Sequence, residues 1–280
     1  MASSLETLAY GYGLIEGPRV DADGNLYFSD VPNGGVYRLA PSGEVDVAIP
    51  KRRGVGGIAI HADGGLVVGG RNVCHVRNGE TRVVFETDAG LNDLMTDADG
   101  RVVCGTLRSD PFGDWKDRLP GELVRIGLDG SSEEMYGDVS LTNGIGYSPD
   151  GSQIYHADTG RNRLICHDVV DDRYVERRDL RPRGVDPADF NPDGLAVDEA
   201  GVIWVADYGA GCARGLRPDG EEVARIEVPA KAVTSLCFGG ADRRDLYIVT
   251  ADNTDDPDRG GTVFRTRVET PGVVVAPARI

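Results

Sequence analysis

The chain has 280 residues, of which 40% are hydrophobic and 27% charged, the proportions of an ordinary globular protein. A formal net charge of −16 argues against nucleic acid as a partner, because phosphate binding needs a basic face. No run approaches the roughly 20 apolar residues of a membrane span, and MASSLETLAYGYG lacks a basic stretch leading into an apolar one, so no membrane partner and a cytoplasmic location are expected.

In chain order, one unit recurs six times. A polar turn followed by a short strand reads DADGNLYFSD at 21–30, HADGGLVVGG at 61–70 and DADGRVVCGT at 97–106. It continues as SPDGSQIYHAD at 148–158, DEAGVIWVAD at 198–207 and GGADRRDLYIVTAD at 239–252. The first five turn glycines, Gly24, Gly64, Gly100, Gly151 and Gly201, are 36 to 51 residues apart. Glycine at such a turn supplies the positive φ of a tight hairpin. Val, Ile, Leu, Tyr and Trp dominate the runs that follow, as they do in strands. A further strand follows in most copies (GGVYRLAPSG, NVCHVRNG, GELVRIGLDG), and a short apolar run precedes each turn (GGIAI, NGIGY, DGLAV). No segment has a helical apolar period over three turns.

These units predict an all-β fold, a six-bladed β-propeller occupying residues 1–280 as a single domain. A β-sandwich would not repeat one hairpin signal six times, and a parallel β-helix has a shorter period. The N-terminal LETLAY is expected to supply an outer strand to the last blade. A propeller of this size is expected as a monomer or a small homo-oligomer.

Cys74, Cys104, Cys166, Cys212 and Cys237 are scattered without a CxxC pair, so they read as buried free thiols. The four histidines have neither HExxH nor HxH spacing, and any metal would be held mainly by oxygen. There is no GxSxG nucleophile elbow, no phosphate loop and no dinucleotide-binding GxGxxG.

In a propeller the residues entering the innermost strand of each blade converge at one end of the central channel. These entrances read IEGPRV with Glu16, GVGGIAI, GLNDLM with Asn92 and Asp93, LTNGIGY with Asn143, NPDGLAV with Asp193, and AVTSLCF with Thr234 and Ser235. Glu16, Asn143 and Asp193 together offer two carboxylates and an amide oxygen, a hard set suited to Ca²⁺, Mg²⁺ or Mn²⁺. A second reading stays open, because Asn-Gly and Asp-Gly are also the commonest turn dipeptides. Asn92-Asp93 reads equally as a cap or an Asx turn.

IEGPRV, LTNGIGYSPDG, NPDGLAVDEAG and AVTSLCFGGADRRDLYIVTAD resemble, in order and spacing, the senescence marker protein / gluconolactonase / luciferin-regenerating enzyme family. The resemblance implies hydrolysis of a small-molecule lactone with one divalent cation, which varies among members (Ca, Zn, Mn, Mg or Fe). It implies Glu16, Asn143 and Asp193 as metal ligands, Asp193 also as general base, and Asn92 as a substrate contact. Arg108, in the adjoining loop, is expected to orient the substrate. Members often carry an arginine two residues before the ND asparagine. Here that residue is Gly90, which leaves room for a bulkier or less polar substrate. The segment LRSDPFGDWKDRLPGE at 107–122, with Phe112 and Trp115, is longer than a hairpin needs and reads as a wall over the site or as a loop packed on the blade. Two rival functions remain at this point: another reaction at the same metal site, such as organophosphate hydrolysis or a non-hydrolytic biosynthetic step, and a non-catalytic metal or ligand sensor.

Overall fold

The computed structural model describes residues 4–113 and 118–280. Within them, twenty-four strands, numbered β1 to β24 along the chain, form six four-stranded antiparallel sheets arranged as a β-propeller. Five blades are consecutive quartets, spanning residues 15–49, 58–85, 90–139, 142–180 and 192–227. The sixth joins residues 233–267 to the N-terminal strand β1 (Glu6–Tyr12), which pairs with β24 (Gly261–Arg267). LETLAY therefore closes the ring as expected.

The repeated turns hold because an aspartate caps them. Asp97 Oδ1 accepts the amides of Asp99 and Arg101, both at 3.0 Å, and Gly100 takes φ +87°. Asp21 and Asp198 make the same two-amide contact in their own blades.

The core is divided into six apolar clusters, one in each gap between neighbouring blades. Blades four and five meet through Tyr155, Leu164 and Phe190, and blades five and six through Trp204, Leu236 and Phe264. Phe28 and Val249 close the gap between blades six and one. Both faces of an inner strand are thus buried, which is why those strands read as continuous apolar runs rather than alternating ones. Alternation appears at the rim, where residues 222–227 run partly buried and exposed in turn. All five cysteines are free and buried. No helix among the described residues is long and apolar enough to cross a membrane.

One element had no counterpart in the repeat. Residues 271–280 run as a strap across the end of the channel where the inner strands finish. Val273 N–H donates to Val197 of blade five, and Ala278 N–H donates to Ile60 of blade two. Arg279 N–H donates to Gly100 of blade three. Ala278 and Ile280 are buried in the gap between blades two and three.

Candidate functional site at the open end of the channel

The inner strands are β2 (Ile15–Val20), β6 (Ile58–Ile60), β10 (Gly90–Thr96), β14 (Thr142–Tyr147), β18 (Pro192–Val197) and β22 (Val233–Gly239). In five of them the ladder to the next strand breaks at the entrance. Thr142 pairs with Asp158 and Ile145 with His156, so three steps on β14 face two on its neighbour. The same extra residue lies between Glu16 and Arg19, Leu91 and Leu94, and Pro192 and Leu195. A bulge of this kind bends the strand and re-aims side chains. It falls where Glu16, Asn92, Asp93, Asn143 and Asp193 stand.

Asn143-Gly144 and Asp193-Gly194 are therefore not turns; both lie buried inside strands. The glycines serve close approach instead. A Cβ on Gly144 would lie 2.3 Å from Leu195 N on the neighbouring inner strand. The bare second entrance has the same cause, since a Cβ on Gly56 would lie 2.1 Å from Asn92 Oδ1.

Glu16, Asp93 and Asp193 form a buried group of carboxylates, 6 to 8% exposed. Burial holds Glu16 well above the usual carboxylate range, and the charges of Asp193 and Asp93 push it further. Asp193 is raised by burial and by Asp93. Asp93 is pushed up to about 6 by burial, while Arg19 and the Leu94 N–H hold it down. Arg19 is the only cation among these influences. Its guanidinium is anchored on the carbonyls of Pro18 and Leu94, and its Nε is buried without a partner.

Asn143 is oriented by its neighbours. Its Nδ2 donates to Thr159 Oγ1 at 2.8 Å, and Thr159 Oγ1 in turn donates to the Pro192 carbonyl. That turns Asn143 Oδ1 toward Asn92, whose Nδ2 donates to it at 2.6 Å and to the Thr142 carbonyl at 2.7 Å. An amide oxygen has a second lone pair, which this network leaves open. Thr142 is itself held by a buried chain, Tyr136 Oη to His156 Nδ1 at 2.8 Å and His156 Nε2 to Thr142 Oγ1 at 2.6 Å.

Asp193 Oδ1 is buried with no hydrogen-bond partner. Buried polar atoms in proteins are rarely left so, and like charges with a bare lone pair match a site for a divalent cation. Among the described residues no three His, Cys, Asp or Glu side chains form a chelating group, so such a site needs the Asn143 oxygen as well as the two carboxylates. Glu16, Asn143 and Asp193 fit that requirement.

The other expected contacts fall differently. Arg108 is turned to Glu122, at 2.7 Å, and to Asp88 rather than to the carboxylate group. Phe112 is 74% exposed, so it does not pack on the blade; Trp115 lies outside the described residues. Tyr208, unmarked by any motif, is partly exposed, and its hydroxyl is raised by burial and by the charges of Asp193, Asp252 and Glu16. A cavity of about 710 Å³ lies at the opposite end, under the strap, lined by Arg19, Met95, Tyr147, Phe238 and Val275 among others. It contains none of the three carboxylates. Three of its acids are paired with arginines, Asp97 and Asp99 with Arg101 and Asp172 with Arg101 and Arg125.

The structure is a six-bladed β-propeller with a buried group of carboxylates at one end of its channel, and comparison with known proteins identifies its family. The chain belongs to the SMP-30/gluconolactonase/LRE-like family, whose model matches residues 14–252. It is 33% identical over 263 residues to a 6-deoxy-6-sulfogluconolactonase of Pseudomonas putida, covering 88% of each chain. It is 31% identical over 278 residues to a pentonolactonase of Haloferax volcanii, covering 92% of each. Among solved structures it resembles luciferin-regenerating enzyme, with a TM-score of 0.89 at 22% identity over 99% of this chain and 100% of the other. It also resembles regucalcin from Agrobacterium tumefaciens, described as a calcium-binding protein, with a TM-score of 0.84 at 23% identity over 99% and 98%. At these identities the two structures show the shared fold.

Proposed function

We propose that the protein is a divalent-metal-dependent hydrolase that opens a lactone, with Glu16, Asn143 and Asp193 holding the cation and Asp193 also acting as base. The observation that carries this reading is the partnerless Asp193 Oδ1 within a buried carboxylate group. Two relatives above 30% identity that are named as lactonases support the reaction class. When bound, the cation supplies Lewis-acid polarisation of a carbonyl and acidification of water.

The chain's own residues do the rest. Asp193 accepts a proton from the attacking water as oxygen adds to the carbonyl carbon. The ring C–O bond then breaks, and the leaving alkoxide takes up a proton to give the open hydroxy acid. Asn92 fixes the Asn143 amide with one N–H and the Thr142 carbonyl with the other, so it would contact a substrate through its own oxygen or by exchanging one of these bonds. Arg108 reaches a substrate only by exchanging its Glu122 contact for it. Thiol nucleophiles have no part: burial pushes Cys104 and Cys237 up to about 12, which keeps them protonated.

Proton release from a panel of sugar lactones, measured after chelation and again after adding Ca, Zn, Mn, Mg or Fe, tests the reading. Activity is expected to vanish with chelator and return with at least one ion. Asp193→Ala is expected to lose roughly 10³-fold or more in kcat while keeping the wild-type circular dichroism. Near-wild-type turnover in that variant would sink the assignment. Tight cation binding without turnover of any lactone would favour a sensor.

A further inference from the structure

The rim of the open end is unevenly charged. Most of its cations are tied to acids, as Arg108 is to Glu122, Arg161 to Asp138 and Arg259 to Asp256. Lys51, Arg53 and Arg71 are different. They are exposed and, among the described residues, have no ion-pair or side-chain hydrogen-bond partner, although the chain carries a net −16. All three belong to the loops around the second entrance, the one without polar side chains.

Backbone pairing fixes where Arg71 stands. Gly70 forms an antiparallel bridge to Leu91, with Leu91 N–H donating to the Gly70 carbonyl at 2.8 Å. Antiparallel register then sets Arg71 opposite Gly90 and Gly69 opposite Asn92. The second pairing is independently visible, since a Cβ on Gly69 would lie 2.8 Å from the Asn92 carbonyl oxygen. Gly90 has no side chain, and among the described residues a Cβ there would meet only Leu107, at 3.6 Å. The space beside Arg71 is therefore open, on the strand that carries Asn92. The neighbouring loop also comes close, with the Gly54 carbonyl 2.9 Å from where a Gly70 Cβ would be, but the Arg53 side chain runs along Gly34 instead, its Cγ 2.9 Å from where a Gly34 Cβ would be. Two acids of this rim are engaged elsewhere, Glu86 with the Asn72 amide and Asp88 with Arg108.

We propose that Arg71 forms a basic subsite at the edge between blades two and three that takes an anionic substituent of the substrate. The preferred substrate is then a lactone bearing a carboxylate, sulfonate or phosphate, groups that match the planar guanidinium fork. Gly90 provides the room and Arg71 the charge, so the opening at position 90 is selective for charged rather than apolar groups. The word lactone here rests on the hydrolase reading of the carboxylate group; the basic subsite does not.

Paired substrates test this. Glucaro-1,4-lactone and glucono-1,4-lactone share a ring and differ in a carboxylate against a hydroxymethyl. Wild type is expected to favour the charged one, and Arg71→Ala to lower the ratio of kcat/KM values about tenfold, chiefly through KM. Arg71→Lys is expected to restore part of the ratio. Raised salt should compress it in wild type. Arg77→Ala, an exposed cation near the far end of blade two, serves as the control. An unchanged ratio in Arg71→Ala overturns the proposal while leaving the hydrolase intact. If wild type opens neither lactone, calorimetry of glucuronate against glucose on the metal-stripped protein decides instead. A preference for glucuronate that Arg71→Ala removes keeps the subsite although the hydrolase reading falls, and no preference removes both.

Discussion

Replacing His156 with glutamine is expected to weaken the protein at neutral pH and to make it less sensitive to mild acid. His156 lies on the second strand of blade four with no exposure, and both ring nitrogens are hydrogen-bonded. Burial pushes its pKa from 6.5 down to about 3, and the charges of Arg177 and His167 add to the effect. The folded value is depressed, so the fold prefers neutral imidazole, while the unfolded chain gains a proton below about 6.5. The stability held by the neutral ring is present above that pH and is lost as pH falls toward 3. From these two values the loss between pH 7.5 and 5.0 is about 2 kcal/mol. Glutamine does not titrate, but it forfeits ring hydrogen bonds, at a cost of about 2 kcal/mol. Urea unfolding of both proteins across this range should therefore show wild type ahead at pH 7.5 and the two curves meeting near pH 5. A gap of constant size would refute the argument, since other titrating groups are common to both proteins.

Two further outcomes follow from the packing. Gly144→Ala drives a methyl into the backbone of β18 and is expected to cost about 3 kcal/mol, lowering Tm by several degrees in a scanning fluorimetry trace. It should also weaken cation binding, because Asn143 and Asp193 flank the contact; an unchanged Tm would mean that the inner strands do not touch as described. Ending the chain after Thr270 removes the strap's backbone bonds to Val197, Ile60 and Gly100, each worth about 1 kcal/mol net. Faster amide exchange is expected at Ala62 and Glu199, whose N–H groups donate to the Ala278 and Pro271 carbonyls of the strap, and unaltered exchange there would show that the strap holds nothing.

The blades were legible because most copies carry their own local device, a glycine turn capped by the side chain that opens it (Asp21, His61, Asp97, Ser148 or Asp198), without dependence on distant partners. Glu16, Asn143 and Asp193 could be singled out because their differences break the repeat. The turn reading of Asn143-Gly144 was not separable in sequence, since the dipeptide that makes a turn also admits a neighbouring backbone at 2.3 Å. Asp93 was weighed as a capping residue; its Oδ1 does accept a backbone amide, but within β10 and beside two other carboxylates. Arg19 and Tyr208 had no signal, because their roles arise from contacts across the channel: Arg19 reaches Leu94, 75 positions away. The strap escaped for the same reason, its partners being blades two, three and five rather than anything near it in the chain. Sequence shows that position 90 has no side chain but not which residue stands across from it, since the Gly70–Leu91 bridge that sets Arg71 opposite is a contact between blades.

The two-ended construction of blade six has a consequence for the order of events in folding. That blade sits between blade five, which carries Asp193, and blade one, which carries Glu16, and it is complete only when β1 has docked on β24. The carboxylates are 177 positions apart in the chain, and they become neighbours only when the circle closes. A cation held by both would bind the closed ring and not an open arc of blades, and its binding energy would then help to hold the seam shut.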